Sequence, residues 1–236
     1  MTDNFNFTTI GTVHACYKEK FGVPRQPGLV KIESSIEIHP PYNTLDAFRE
    51  LSGFSHIWIV FVFHQTQQQG WRPTVRPPRL GGNERVGVFA SRSMFRPNPI
   101  GLSLVELKQI RQHDGKLFID IVGADLIDGT PVLDIKPYLP YAESIPDARA
   151  GYASDAPVAR LQVVFTSEAR AQLQQLQKTR TDLEQTIVAV LQLDPRPAYQ
   201  DAATKQKTEY GIKLFDLDIK FRIRDDVAEV YGLLKL

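Results

Sequence analysis

Six arginines fall within residues 70–101: Arg72, Arg76, Arg79, Arg85, Arg92 and Arg96. Against them stands one acid, Glu84, a local balance of +5 with no lysine in the stretch. A merely solvated face would mix the two cations. Arginine alone points to planar, bidentate donors that meet carboxylate, phosphate or a base edge. Pro73, Pro77, Pro78, Pro97 and Pro99 stiffen the loops that carry them, which lowers the entropy lost on binding. The string Phe95-Arg96-Pro97-Asn98-Pro99-Ile100-Gly101 is the most unusual part. Its two prolines fix the backbone on either side of Asn98. Gly101 then permits a close backbone approach or a positive φ as a strand begins. A rigid loop whose arginines pair with neighbouring carboxylates would have the same composition.

A second cluster follows at Asp128-Gly129-Thr130-Pro131, continued by Asp134, Lys136 and Tyr138. Asp-Gly is a turn signal, and the amides of such a turn can hold a polar ligand. A plain hairpin turn with Asp134 and Lys136 on its solvated side is the alternative. His64 ends an apolar run and faces either a pocket or the core. Its fellow histidines His14, His39, His56 and His113 show no metal-ligand spacing, so no metal site is expected. The last cluster, Asp194-Pro195-Arg196-Pro197-Ala198-Tyr199, offers an acid, a cation and an aromatic between two prolines. Such a trio can stack on and hydrogen-bond a nucleobase, or simply end a helix. No G-x-G-x-x-G, Walker loop or G-x-S-x-G elbow is present, which disfavours a Rossmann-type cofactor site.

These residues need elements to hold them. Residues 54–63 are β-branched and aromatic almost throughout, which predicts a strand buried on both faces. Residues 86–90, 102–107 and 116–122 read as further strands, the last following an Asp114-Gly115 hairpin turn. Residues 44–51 form the one predicted helix before residue 160. Many short strands with few helices give a mainly β chain, a barrel or a sandwich. Pro140, Pro146, Gly151 and Pro157 mark a boundary between a domain of residues 1–150 and a smaller α+β domain of residues 151–236. In the latter, Leu173, Leu176, Leu183, Ile187, Val190 and Leu191 recur at helical spacing. Thr181 and Glu184 fit a capping box that starts a second helix, which Pro195 ends. Alternation returns with Ile212, Leu214, Ile219, Phe221 and Ile223. Asp225-Asp226 then turns into a closing strand.

The chain has 236 residues, a formal charge of +1 and one cysteine, Cys16. One thiol makes no internal disulfide, which favours a reducing, cytoplasmic setting. The first residues lack the pattern of a signal peptide. No apolar run approaches the about 20 residues that span a bilayer, so no membrane contact is expected.

The strings Pro24-Arg25-Gln26-Pro27-Gly28, Arg92-Ser93, Phe95 to Gly101, Asp128 to Pro131 and Asp134 to Tyr138 resemble the TsaA-like family. Within it they are most similar to its bacterial tRNA (adenine-N6)-methyltransferases, from Ile10 through Tyr199. The resemblance implies a small N-terminal β-barrel that binds S-adenosyl-L-methionine and a C-terminal domain that helps bind tRNA. It further implies a homodimer, and a substrate N6-threonylcarbamoyl-adenosine at tRNA position 37. Carried over by motif, the cofactor contacts are Pro24, Arg25, Gln26, His64, Gln65, Arg92, Leu102, Asp128, Gly129, Thr130 and Pro131. The tRNA contacts are Asp194, Arg196 and Tyr199. For the chemistry, Arg96 and Asn98 are assigned to substrate positioning, with Asp134 or Asp128 to accept the proton. A non-catalytic RNA-binding module, or a methyltransferase for a small carboxylated metabolite, would share many of these features.

Overall fold

A computed structural model of the chain describes residues 4–196 and 209–236. The strands in chain order are β1 (Gly11–His14), β2 (Glu33–Ile38), β3 (His56–Val62), β4 (Thr74–Val75), β5 (Val86–Gly87), β6 (Ile100–His113), β7 (Lys116–Val122), β8 (Pro131–Pro137), β9 (Gln162–Phe165), β10 (Glu209–Leu214), β11 (Leu217–Arg224) and β12 (Val227–Lys235). The helices are α1 (Pro140–Glu143), α2 (Ser167–Leu176) and α3 (Leu183–Leu191). The chain divides into two compact units, one of residues 1–15, 26–75 and 87–146, the other of residues 16–25, 76–86 and 147–236.

In the first unit six strands pair into a closed ring in the order β1-β2-β7-β6-β3-β8. Period-two alternation builds it. Ile57, Ile59 and Phe61 of β3 point inward beside Ile36, Ile119 and Ile121, all at most 5% exposed. The intervening His56, Trp58, Val60 and Val62 face outward and are exposed or half-buried. The expectation that this strand is buried on both faces therefore fails: a ring of strands has one inside. On its outer side His56 and Trp58 line a cleft instead. The predicted helix at 44–51 is two short 3-10 turns, Leu45–Phe48 and Leu51–Gly53, broken where Glu50 adopts a left-handed φ of 66°. Of the strand predicted at 86–90, only Val86–Gly87 is extended, and Val88–Ala90 form a 3-10 turn.

The second unit is a four-stranded sheet, β10-β11-β12-β9, with α2 against β12. The Thr166 side chain caps α2 by accepting from the backbone N of Ala169. α3 starts at Leu183 with Asp182 at its cap, without the predicted capping box, since Glu184 is drawn into an ion pair with Arg170. Leu173, Leu183, Ile187, Val190 and Leu191 are buried as their spacing predicts, whereas Leu176 is half-exposed. Ile212, Leu214, Ile219, Phe221 and Ile223 form the buried face of the sheet.

Residues 16–25 and 76–86 group with the C-terminal unit, so the division of the chain into units is not a single cut near residue 150. Cys16 accepts from the backbone N of Phe215 (2.7 Å), Tyr17 bridges to Leu214, and Phe21 stacks on Tyr210 and Phe221 at 6.2 and 6.4 Å. Backbone pairing and aromatic burial thus tie residues 16–25 to the C-terminal sheet. No helix among the described residues is long and apolar enough to cross a membrane.

Candidate functional site

Strand register decides which loops of the ring share an end. β3 ends where β6 begins, with Val62 opposite Ile100 and the backbone N of Phe63 bonded to the carbonyl of Pro99 (2.8 Å). β8 begins beside them, with Val132 opposite Phe61 and also opposite Gly11 of β1. The end of β7 joins them, since Val122 faces Glu33 at the start of β2. One end of the ring therefore gathers His64 and Gln65, Asn98, Leu102, and the turn Asp128-Gly129-Thr130-Pro131, although they lie up to 67 positions apart in the chain. Residues 123–128, which follow β7, complete it.

Arg92 joins these parts. Its Nη1 donates to Gln26 Oε1 (2.7 Å) and its Nη2 to the carbonyl of Leu102 (2.6 Å). One guanidinium thus ties the loop at residue 26 to the first turn of β6, a two-acceptor task suited to its fork. An open cleft of about 370 Å³ lies against it, lined by Gln26, Pro27, Gly28, His56, Trp58, Arg92 and Leu104. Trp58 is held by a hydrogen bond from Nε1 to Glu143 Oε1 (2.7 Å) and an edge contact with Tyr138 at 6.1 Å. Gly28, with φ of 78°, donates its backbone N–H to the carbonyl of Gly123 (2.8 Å), which fixes the lip of the cleft.

The rows of the outer face extend this arrangement. Leu104, Trp58 and Lys136 are paired neighbours across β6, β3 and β8, and Leu102, Val60 and Asp134 form the adjoining row. At about 4.8 Å between strands, Asp134 lies about 10 Å from Leu102. Its Oδ2 pairs with Lys136 Nζ (2.7 Å) and its Oδ1 accepts from the backbone N of Ile135 (2.9 Å). The ion pair is exposed, and Asp134 raises the pKa of the Lys136 ammonium.

The turn after residue 127 is a rigid frame. Asp128 Oδ1 accepts from the backbone N of Ala15 (3.0 Å), Gly129 has a φ of 78°, and buried Thr130 donates its hydroxyl to the carbonyl of Ile127 (2.6 Å). Arg96 likewise braces its own loop. Its Nη1 donates to the carbonyls of Ser91 (2.9 Å) and Val88 (3.2 Å). Asn98 is exposed at the ring end, its carbonyl accepting from Ile100 (2.7 Å). Arg72 stacks over Phe95 at 4.1 Å.

Pro24 and Arg25 belong to the second unit. There Pro24 is buried, and Arg25 Nη2 donates to the carbonyl of Arg196 (2.9 Å). Arg196 in turn donates from Nε and Nη2 to both oxygens of buried Asp194 (2.8 and 2.7 Å). Asp194 is left-handed at a φ of 53°, so the pair closes a tight turn. Tyr199 lies outside the described residues.

Sequence reasoning did not single out Trp58 and His56 as walls, nor the pair Ser103 and Asp125. Ser103 is fully buried and donates its hydroxyl to Asp125 Oδ1. Burial pushes the Asp125 carboxyl upward, while the Ser103 hydrogen bond and the charge of Arg92 pull it down. A signal for it exists in the sequence: Asp125 stands between Ala124 and Leu126, both buried, in a segment that joins a strand to a turn.

Comparison with known proteins adds family to geometry. The profile of the tRNA-methyltransferase O N-terminal domain matches residues 12–144, and that of the TrmO C-terminal domain matches residues 158–236. The tRNA (adenine(37)-N6)-methyltransferase of Escherichia coli K12 is 55% identical over 232 residues, 98% of each chain. A putative S-adenosylmethionine-dependent methyltransferase, RcsF of Pseudomonas aeruginosa, is 43% identical over 94% of each. The crystal structure of TrmO from P. aeruginosa superposes with a TM-score of 0.79 at 34% identity, covering 100% of this chain and 99% of that one.

Proposed function

This chain belongs to the tRNA-methyltransferase O family, and from that premise we propose how its residues carry out the reaction. It is a tRNA (adenine(37)-N6)-methyltransferase dependent on S-adenosylmethionine, acting on N6-threonylcarbamoyl-adenosine at position 37. The observation that carries the residue assignment is the meeting of Gln26 and the Leu102 carbonyl on Arg92, beside a cleft that Gln26 and Arg92 line.

The donor set fits the cofactor. Pro27, Trp58 and Leu104 give apolar and aromatic walls for a nucleoside, and Arg92 gives a cation for a carboxylate. The Asp128–Pro131 turn, with His64 and Gln65, lies at the ring end where β3 finishes, beyond the Leu102 row, and we assign it to the cofactor as well, the ring being the cofactor-binding β-barrel of the family in this reading. S-adenosyl-L-methionine, when bound, supplies a methyl group already activated by its sulfonium. The protein therefore contributes alignment and proton removal.

The exocyclic nitrogen of adenine is a poor nucleophile because its lone pair is delocalised into the ring. The threonylcarbamoyl carbonyl makes its N–H more acidic, so a positioned carboxylate can take the proton. Asp134 is our choice over Asp128. Asp134 is held near the cleft row by Lys136, whereas Asp128 is spent on the backbone of Ala15. In this scheme Asp134 Oδ2 accepts the N6 proton, Arg96 braces the loop, and Asn98 positions the modified base. The Arg25 and Asp194–Arg196 turn, with Tyr199, serves the tRNA. The protein works in the cytoplasm as a homodimer, which sedimentation at about twice 26.7 kDa would bear out and a monomer at working concentration would refute.

Single-turnover methylation by Asp134→Asn tests the proton assignment. Cofactor and tRNA affinities are expected to hold while the rate falls on the order of 10²-fold or more. A normal rate would remove Asp134 from the role.

A further inference from the structure

Phe89 is 74% exposed, at the centre of the 3-10 turn Val88–Ala90 that stands where a strand was expected. The turn beneath it is rigid. Val88 is buried, and its backbone N donates to the carbonyl of Pro73 (3.0 Å). Its carbonyl accepts from the backbone N of Ser91 (3.2 Å), the Ser91 hydroxyl (2.8 Å) and Arg96 Nη1 (3.2 Å). The Arg96 guanidinium lies 5.5 Å from the centre of the Phe89 ring. Phe95 of the same loop is by contrast half-buried and covered by Arg72 at 4.1 Å. A phenyl ring mounted this firmly in solvent loses little entropy when a partner stacks on it.

Charge selects the partner. Residues 70–75 and 87–101 hold Arg72, Arg92 and Arg96 and no acid. Two copies of this loop meeting across a two-fold axis would set arginine against arginine. RNA instead brings phosphates to the arginines and a flat base to the ring. Phe89 precedes Arg92 by three residues, so at most about 11 Å of chain separates it from the cleft that Arg92 lines. We propose that Phe89 is the stacking platform for the target adenine. The chemistry leaves the faces of that base free. Carbamoylation makes N6 planar, so loss of its proton leaves the reacting electron pair in the plane of the ring. Proton acceptor and methyl donor therefore work at the edge, and one face can lie on a phenyl throughout. Drawing adenosine 37 away from its neighbours in the RNA loop costs stacking energy, which Phe89 offsets. This assignment rests on the function proposed above and adds to it how the base is held.

The test is equilibrium binding of the full-length protein, with S-adenosylhomocysteine present, to threonylcarbamoylated tRNA and to the same tRNA with the base at position 37 removed. Phe89→Ala is expected to weaken the intact tRNA on the order of 10-fold. It should weaken the abasic tRNA by less than about twofold, as a cycle requires of a direct contact. Phe89→Tyr should restore binding, and Phe89→Leu, apolar but without a flat ring, should not. An equal loss on the abasic tRNA would mean a structural role or a contact elsewhere in the RNA, and would overturn the assignment. So would unchanged affinity for the intact tRNA. A Phe89→Ala variant that sediments at half the wild-type mass would also overturn it, by making the ring an interface between copies. If the variant fails to fold, wild type alone decides: equal affinity for intact and abasic tRNA contradicts the proposal. Wild type that transfers no methyl group from S-adenosylmethionine to the threonylcarbamoylated tRNA sinks the function itself, a result distinct from every other outcome.

Discussion

A lysine at position 92 would carry the same charge and fail at the same task, because Gln26 and the Leu102 carbonyl need two donors set apart in a plane. That is the sense in which an arginine-only stretch was informative. It was informative unevenly, however. Arg96 spends Nη1 on its own loop and Arg72 lies over Phe95. Only the fold separates an arginine that frames a cleft from one that braces a loop. Cys16 carries the sharpest single-residue prediction. Burial pushes its thiol from 9.0 up to about 12. Below pH 9 the thiol is protonated in both folded and unfolded chains, and its contribution is intact. Above pH 9 only the unfolded chain ionises, so stability relative to Cys16→Ala should fall by about 1.4 kcal/mol per pH unit, levelling off near pH 12. Urea unfolding of both proteins at pH 8 and pH 10 checks this, and parallel behaviour would contradict it.

At the scale of elements, Gly101 shows how a strand start sets the site. Its neighbour across the ladder is Phe61, and a Cβ at position 101 would lie 2.2 Å from the Phe61 ring. Phe61 is buried and packs edge-on against Phe63 at 5.0 Å, so the ring has little room to yield. Gly101→Ala should cost on the order of 1–3 kcal/mol, read as a lowered melting temperature, with part of the loss recovered by adding Phe61→Leu. A variant that melts like wild type would refute the packing argument. The Gly in Pro-Asn-Pro-Ile-Gly was readable as either a close approach or a positive φ, and it is the close approach. Alternation likewise made β6, β7 and the C-terminal strands legible, because a period of two reports one buried face directly. The outward cleft of β3 was not legible, since Trp58 and Val60 look like core until ring closure decides which face is inside. Asp125 was hidden for a related reason: its partner Ser103 is 22 residues away, and no local spacing announces a contact across strands.

For the whole molecule, the +1 total conceals a distribution. The +5 of residues 70–101 is divided by the fold, with Arg72, Arg92 and Arg96 in the unit of the ring and Arg76, Arg79 and Arg85 in that of the C-terminal sheet. What looks like one basic patch in the chain is thus shared between two bodies. A modest, distributed charge of this kind suits recognition of one RNA loop better than general adhesion to polyanions. The proposed function is one transfer, from S-adenosylmethionine to a threonylcarbamoylated adenosine. The most direct measurement incubates the protein with methyl-labelled S-adenosylmethionine and two tRNA pools, one carrying the threonylcarbamoyl group at position 37 and one lacking it. The account predicts label on N6 of that adenosine in the first pool and none in the second. Label in neither pool would contradict the enzyme, and label in both would contradict its substrate.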